Sequence, residues 1–274
     1  MNKFHQEYHT LLCELQHGVE ETNARTGVAI KMVKGGHSFA LDLNSGRLPV
    51  AGNRKYYPHI AAAEVAWQFM GTQDPTWITE KAPKIWGAFI ESGILETAYG
   101  YRWRKHFGRD QLTLAMQELL ENPTNRQLYI SAWDPSEDGL GGPQPKNVPC
   151  PVGFSLTRTG DDLHLSVFIR SSDVFVGLPY DVMGYALTLD AIAASCGLIP
   201  SLLHITLAHA HTYEPHFEDL EICLRADWIS DEPILPAWSV QEIEKNPDGY
   251  VSHVKRLSNR VLWNDWDPKP ELVL

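Results

Sequence analysis

Cysteine is scarce in this chain of 274 residues, and the four that occur are far apart. Cys13, Cys150, Cys196 and Cys223 form no CxxC pair, which argues against a structural zinc site and against a disulfide framework. Unpaired thiols are typical of reducing compartments, so the cysteine content favours an intracellular protein.

Positive charge is also in short supply, with 23 basic residues against 34 acidic ones and a formal net charge of −11. Proteins that bind nucleic acid or membrane surfaces without sequence preference usually carry the opposite charge, so we expect neither partner. No apolar run approaches the length of a membrane span, and the N-terminal segment lacks the apolar core of a signal peptide. The expected location is therefore the cytoplasm.

Hydrophobic periodicity predicts both helices and strands. The predicted helices cover about residues 2–17, 59–70, 110–121 and 180–196. The predicted strands cover residues 127–133, a hairpin at 153–172 and residues 202–213. Because no linker or repeat separates these elements, we expect a single α+β domain over residues 1–274, with a mixed β-sheet flanked by helices.

A few local features are candidates for chemistry. Cys150 lies between prolines in VPCPVG, although a lone cysteine is more often simply packed. Glu64 is the only acid in an apolar helix, where a buried carboxylate is costly unless it has a partner or a function. Arg170 follows the apolar run LSVF and suits either a structural ion pair or a phosphate ligand. The histidines of 208–216 have no cysteine near them, and HAH on a strand is weak evidence for a ligand set, so no metal site is expected.

Taken in order, these and other segments resemble the thymidylate synthase family over nearly the whole chain. The strongest are IRSSDVFVGLPYDVMGYAL at 169–187, NRQLYISAWDP at 125–135 and VPCPVGFSL at 148–156. Shorter segments follow in the family's order, namely ARTG, EVAWQF, KIWGAF, AYGYRWR and AHAHTYEPH. The resemblance implies the family's α+β fold and a homodimer joined sheet to sheet.

The resemblance also implies a reaction and the residues that carry it. Cys150 matches the nucleophile, whose thiolate adds to C6 of a pyrimidine and makes C5 reactive toward 5,10-methylenetetrahydrofolate, the implied co-substrate. Glu64 matches the general acid/base, and Tyr99 matches the tyrosine that assists removal of the C5 proton. The positions that match contacts to a pyrimidine nucleoside monophosphate are Arg25, Arg126, Arg170, Ser171, His211 and Tyr213. Those that match folate contacts are Arg54, Trp86, Asp173 and Gly177.

Three sets of these positions have more specific implied roles. Arg25, Arg170 and Ser171 match a phosphate clamp, because forked guanidinium donors suit phosphate oxygens. Arg126 matches an arginine that the neighbouring subunit supplies, which implies shared active sites. His211 and Tyr213 match the pair that bonds the 3′ hydroxyl of the sugar.

Asp181 is the departure from the family pattern that bears most on the substrate. Thymidylate synthases have asparagine here, and its amide both donates and accepts hydrogen bonds, as O4 and N3–H of uracil require. An ionised aspartate only accepts, which suits the 4-amino group of cytosine, and a protonated one can pass a proton to N3. Asp181 resembles the aspartate of (deoxy)cytidylate hydroxymethylases. The alternative is that it merely flanks the start of a helix, where acids are favoured.

Other departures concern the surroundings of the reacting groups. Pro151 replaces a histidine that follows the nucleophile, Gln127 replaces a second arginine, and His209 replaces a usual acid. Gly87, Ala88 and Phe89 stand in place of an acidic pair and a second tryptophan. We hypothesise that this last change admits water beside the one-carbon unit, since water attack yields a hydroxymethyl group and hydride transfer yields a methyl group and dihydrofolate.

The sequence therefore predicts a folate-dependent transferase that converts CMP or dCMP to the 5-hydroxymethyl nucleotide, with Cys150, Glu64, Asp181 and Tyr99 as its catalytic residues. Three alternatives stay open: methylation of the same nucleotide, conventional thymidylate synthesis, and a catalytically silent nucleotide- or folate-binding paralogue. The choice between ribose and deoxyribose is also open, with Ser172 a candidate for the 2′ position.

Overall fold

The helices and strands of the chain are taken from a computed structural model, which describes residues 3–24, 26–51, 53, 55, 57–142, 148–226 and 232–259. The helices are α1 Lys3–Gln16, α2 Pro58–Met70, α3 Thr76–Lys81, α4 Pro83–Trp86, α5 Tyr99–Tyr101, α6 Gln111–Glu121, α7 Leu178–Cys196, α8 Phe217–Arg225, α9 Val240–Lys245 and α10 Pro247–Ser258. The strands are β1 Val19–Thr22, β2 Ala29–Met32, β3 His37–Asp42, β4 Tyr129–Ser131, β5 Pro151–Thr159, β6 Asp162–Ile169, β7 Ser172–Asp173, β8 Ile199–Leu207 and β9 Ala210–Tyr213.

The described strands form two mixed sheets, which confirms the predicted α+β class with helices flanking mixed sheets. The larger sheet has the order β3-β8-β6-β5-β4, and the smaller has the order β1-β2-β9-β7. The β6–β8 and β7–β9 pairs are parallel, whereas the other pairs are antiparallel. Two backbone hydrogen bonds span the gap between the parallel pairs, from Ala208 N to the Ile169 oxygen and from Ser172 N to the His209 oxygen, both 2.9 Å.

The prediction of one strand over residues 202–213 is wrong. The chain forms β8, breaks at Ala208 and His209, and resumes as β9 in the other sheet. The adjacent segment breaks in the same way at Arg170 and Ser171, between β6 and β7. The two parallel segments, β6–β7 and β8–β9, therefore kink together. Alternating hydrophobicity continues on both sides of such a kink, and it therefore does not show where a strand changes sheets.

Two apolar helices, α2 and α7, pack against each other in the interior. α2 begins with Pro58 and ends before Gly71, whose φ of 59° lies in the left-handed region that favours glycine. α7 ends in the same way before Gly197, at φ 66°. Each helix carries one candidate acid in an otherwise apolar stretch, Glu64 on α2 and Asp181 on α7. Packing of the two helices therefore brings these acids into one region.

One face of the larger sheet packs on the core and the other faces outward. In β6, Leu165, Val167 and Ile169 are buried, whereas the intervening Phe168 is 42% exposed. Tyr129 of β4 and Ile199 of β8 are also about half exposed, at 52% and 50%. Such an apolar outward face is typical of a surface that another protein covers. Among the described residues, no helix has both the length and the apolar composition needed to cross a membrane.

Candidate active site

Cys150 lies immediately before β5, beside Arg170, which follows β6. The register of the β5–β6 hairpin brings the two together, and Arg170 N donates to the Cys150 oxygen at 2.9 Å. One guanidinium nitrogen, Nη2, lies 3.8 Å from the Cys150 Sγ. A fixed positive charge at this distance favours the thiolate, which is the nucleophilic form of cysteine.

Three further contacts hold the Arg170 guanidinium in place. Nε and Nη2 donate to the backbone oxygens of Pro149 and Val148, both at 2.9 Å, and the group lies 5.6 Å from the centre of the Trp133 ring. Among the described residues Nη1 makes no hydrogen bond, so this nitrogen is available to an anionic ligand. The arginine is thus oriented by the segment that carries the cysteine.

Tyr99 connects the cysteine to the acids. The pKa of the Tyr99 hydroxyl lies well above the ordinary value, first because the group is buried and then because negative charge on Cys150 and Asp181 opposes its ionisation. A backbone hydrogen bond from Cys150 has the opposite, smaller effect. Tyr99 therefore remains a neutral hydroxyl. Its ring meets the edge of Trp86 at 6.2 Å between centroids.

Glu64 is half-buried on α2 and accepts a hydrogen bond from Trp86 Nε1 at 2.9 Å. Burial raises its pKa to about 7, although the Trp86 bond favours the ionised form. A carboxyl group with a pKa near neutrality both gives and takes protons readily, as a general acid/base must.

Asp181 lies in the first turn of α7, four residues after Gly177. Burial, and then negative charge on Glu64 and Asp173, raises its pKa to about 8. Within the described residues its side chain makes no cap hydrogen bond, although a place in the first turn is also one where acids are favoured. At neutral pH the carboxyl group is held mainly in its protonated form.

Asp173 and His211 are neighbours across the parallel β7–β9 pair. Asp173 Oδ1 accepts hydrogen bonds from the Phe175 and Val176 N–H groups at 3.0 and 3.2 Å. Burial raises the pKa of Asp173 and lowers the pKa of His211, and each partner opposes the shift of the other. The His211 ring meets the Tyr213 ring edge to face at 5.1 Å.

The structure does not bring every predicted residue to this site. Arg126 is exposed in the turn before β4, and no contact among the described residues joins it to Cys150. Ser171 is half-buried between β6 and β7. Arg25 and Arg54 lie outside the described residues, so the structure does not test their predicted contacts.

Sequence reasoning missed two residues of this region. Trp133 stacks under Arg170, and it lies in the segment 125–135 that carried part of the family resemblance. Tyr185 lies one helical turn after Asp181, and its pKa is raised well above the ordinary value by burial and then by negative charge on Asp181. The i, i+4 spacing of Tyr185 from Asp181 on a predicted helix was the available signal.

A separate group of possible metal ligands lies in the loop that precedes the nucleophile. Side-chain atoms of His106, Asp134 and Glu137 lie within 4.8 Å of one another. Internal ion pairs already satisfy them, because His106 Nε2 lies 2.7 Å from Asp134 and Arg102 binds Glu137 at 3.2 Å. The group is explained as an ion-pair network that holds the loop.

A thiol beside a guanidinium, together with three acids of raised pKa, makes this a site for covalent and proton-transfer chemistry. The model of the thymidylate synthase family matches residues 6–246, a range that includes every candidate residue named above. The chain therefore belongs to the thymidylate synthase family. Membership supports a folate-dependent pyrimidine C5 transferase in general, because the family uses methylenetetrahydrofolate as a co-substrate.

Proposed function

We propose that the chain is a (deoxy)cytidylate 5-hydroxymethyltransferase with one catalytic domain, acting in the cytoplasm on CMP or dCMP with methylenetetrahydrofolate and water. The observation that carries this proposal is Asp181. It stands where thymidylate synthases have asparagine, and its pKa is raised to about 8 by burial and by two neighbouring acids.

A neutral carboxyl group at this position complements cytosine. Its O–H donates to N3, and its carbonyl oxygen accepts from the 4-amino group. When the Cys150 sulfur bonds to C6, electrons move from the ring double bond to N3, and N3 takes the proton of Asp181. The resulting carboxylate then accepts from two N–H groups. In uracil the same proton would have to go to a carbonyl oxygen, which is far less basic than cytosine N3.

The remaining described residues have roles that agree with this reaction. Arg170 keeps positive charge 3.8 Å from the Cys150 sulfur and leaves Nη1 for the nucleotide phosphate. Glu64, with a pKa of about 7, exchanges protons with water near the base. Tyr99 is a neutral hydroxyl that assists transfer of the C5 proton.

Methylenetetrahydrofolate fits the donors and acceptors next to these groups. Asp173 uses Oδ1 for two backbone N–H groups, and its carboxyl group can accept further N–H donors of a pterin. Gly177 lacks a side chain where a Cβ would lie 3.2 Å from the Asp173 backbone oxygen. Trp86 offers an aromatic face beside Glu64. When bound, the folate supplies the one-carbon unit.

Water as the final reactant is supported by the turn at Gly87–Phe89. This turn follows Trp86 directly, and Gly87 is exposed. Gly87 and Ala88 are small, and with Phe89 they stand in place of an acidic pair and a second tryptophan, which favours access of water to the one-carbon unit. Hydride transfer, which yields a methyl group and dihydrofolate, is the competing outcome.

We also propose a homodimer joined through the outward face of the larger sheet. This face exposes Phe168, Tyr129 and Ile199. Arg126 lies beside the edge strand β4 of that sheet, exposed and away from its own Cys150. In a sheet-to-sheet dimer it would serve the phosphate site of the partner subunit.

The proposal is tested by incubating the protein with methylenetetrahydrofolate and each of CMP, dCMP, UMP and dUMP. We expect a hydroxymethyl group on a cytosine nucleotide by mass spectrometry, without the absorbance of dihydrofolate. A methyl product with dihydrofolate would refute the water step. Failure of all four nucleotides to react, with Cys150 intact, would favour a silent paralogue.

Replacing Asp181 by asparagine tests the observation itself. Asp181→Asn should shift the preference from cytosine toward uracil nucleotides, by about 10²-fold or more in the ratio of kcat/KM values, because a site built for specific hydrogen bonds rejects a mismatched base strongly. Asp190→Asn is the matched control, since Asp190 is a buried acid farther along α7 that accepts from Ala237 N at 2.8 Å. An equal loss for both bases in Asp181→Asn would refute the assignment.

A further inference from the structure

His209 lies at the kink between β8 and β9, at a position where the family usually has an acid. Its Nδ1 lies 3.2 Å from Nδ1 of His211, and the two rings meet at 69° with centroids 5.0 Å apart. The backbone oxygen of His209 lies 3.3 Å from the same His211 nitrogen. His211 Nδ1 therefore lies close to both the ring nitrogen and the backbone oxygen of His209.

These contacts select one tautomer of His211. A backbone oxygen only accepts hydrogen bonds, so His211 Nδ1 carries the proton when it makes this bond. Nδ1 of a neutral His209 can accept from the same proton. With the proton on Nδ1, His211 keeps a lone pair on Nε2 and acts there as an acceptor.

We propose that His209 is a positioning residue that holds His211 in its Nδ1–H tautomer, so that His211 Nε2 accepts a hydrogen bond from the 3′ hydroxyl of the bound nucleotide. This inference rests on the proposed function and on the family resemblance, which matches His211 and Tyr213 to the 3′ hydroxyl of the sugar. It gives His209 the task of an acceptor, which the usual acid of the family would perform in its ionised form.

Burial lowers the pKa of His211, which favours the neutral ring, and a neutral imidazole carries its proton on one nitrogen and accepts at the other.

The other charged or titratable groups around the pair do not replace His209 in this role. Among the described residues they are Asp173 of β7, Tyr213 of β9, His216 of the following turn and Asp181 of α7. The charge of His216 acts on Asp173, and the charge of Asp173 acts on Asp181. Met32 of β2, the strand partner of His211, is uncharged.

Two variants separate positioning from mere packing. His209→Ala removes the ring acceptor, whereas His209→Asn keeps a neutral acceptor near the same place. Binding of CMP or dCMP, whichever binds more tightly, is compared by calorimetry with that of its 3′-deoxy analogue. The phosphate titrates in both ligands, so its contribution cancels in the ratio of their dissociation constants.

We expect His209→Ala to weaken binding of the 3′-hydroxyl nucleotide about three- to tenfold, the effect of one hydrogen bond, and to leave the 3′-deoxy analogue nearly unchanged. His209→Asn, which keeps an acceptor, should bind both ligands like the wild-type protein. Equal weakening of both ligands by His209→Ala would overturn the inference.

A measurement without nucleotide separates this inference from the proposed function. Nitrogen-15 NMR of labelled histidines should show His211 as the Nδ1–H tautomer in the wild-type protein above about pH 7, where imidazoles are mostly neutral. An Nε2–H tautomer there would overturn the inference even if the enzyme is active. Absence of nucleotide binding to the wild-type protein would instead overturn the proposed function, and the sugar contact with it.

Discussion

At the scale of single residues, the position of Cys150 makes a direct prediction. Cys150→Ser should reduce turnover by about 10³-fold or more, because a hydroxyl group is a far weaker nucleophile than a thiolate next to a guanidinium. The thermal unfolding midpoint should change little, since the two side chains have similar shapes. Product formation and a thermal melt check both parts.

Cys13→Ser is the matched control for this experiment. Cys13 is half-buried on α1 and contacts His9 at 3.6 Å, away from the site. Its substitution should leave turnover unchanged. Comparable turnover in Cys150→Ser and Cys13→Ser would exclude Cys150 as the nucleophile.

The two acids of raised pKa predict how the rate depends on pH. Glu64 has a pKa of about 7 and has to be ionised to accept a proton, so kcat/KM should rise with pH through that value. Asp181 has a pKa of about 8 and has to be protonated to serve cytosine, so kcat/KM should fall above it. The two limbs are linked, because negative charge on Glu64 raises the pKa of Asp181.

Asp181→Asn separates the two limbs of this profile. The amide does not titrate, so the falling limb should disappear with the variant's best nucleotide while the rising limb remains. Rates measured from about pH 5 to pH 10 cover both transitions. A falling limb that is unchanged in Asp181→Asn would assign it to another group.

The individual candidate residues could be predicted because each lies in a segment with a strong local pattern. VPCPVG and the lone acid of 59–70 single out Cys150 and Glu64 before any contact is known. Their environments could not be predicted, since the pKa of Asp181 depends on burial and on Glu64, which is far away in the chain. Trp133 was missed for the same reason, because only the folded chain brings its ring to Arg170.

At the scale of elements, the predictions succeeded where periodicity is long. The helix predicted over 110–121 is confirmed as α6, capped by Asp110, whose side chain accepts from Thr113 N. The hairpin predicted over 153–172 is confirmed as β5 and β6, with Gly160 at φ 62° in its turn. The strand predicted over 127–133 is confirmed as the shorter β4, Tyr129–Ser131. β7, of only two residues, is determined by its pairing with β9, which local periodicity does not contain.

The loop before Cys150 depends on a buried ion pair, and this dependence is testable. Arg102, only 2% exposed, binds Asp138 at 3.1 Å, and the Asp138 side chain is fully inaccessible. Asp138 also accepts from Asp134 N at 2.8 Å, which folds the loop. Arg102→Met should lower the free energy of unfolding by about 3–5 kcal/mol, because it leaves a buried carboxylate without its counterion.

Urea unfolding measures this loss, and an exposed pair provides the control. Arg225 and Glu221 form an i, i+4 ion pair at 3.1 Å on the surface of α8. Arg225→Met should change stability little, because exposed pairs contribute little. The double variant Arg102→Met with Asp138→Asn should recover part of the loss. If Arg102→Met is as stable as Arg225→Met, the buried pair is not what holds the loop.

At the scale of the whole molecule, the site described within one chain is incomplete as a phosphate site. Among the described residues, Arg170 Nη1 makes no hydrogen bond, and the family's second adjacent arginine is replaced by the exposed Gln127. Arg126 is exposed at the edge of the sheet whose apolar face points outward. A dimer through that face would cover the apolar surface and supply the missing positive charge at once, so both features have one explanation.

Mixing two inactive variants tests the shared site. Cys150→Ser lacks the nucleophile, and Arg126→Ala lacks the arginine proposed to act in the partner subunit. If the two chains exchange, half of the dimers are mixed, and each mixed dimer has one site with Cys150 from one chain and Arg126 from the other. Activity should therefore return to about one quarter of the wild-type value per site.

A mixture of Cys150→Ser with Glu64→Gln is the control. Both residues act in the site of their own chain, so every site of a mixed dimer retains one defect and activity should not return. Recovery limited to the first mixture would establish that Arg126 crosses the interface, and no recovery after proven exchange would place Arg126 in its own subunit's site.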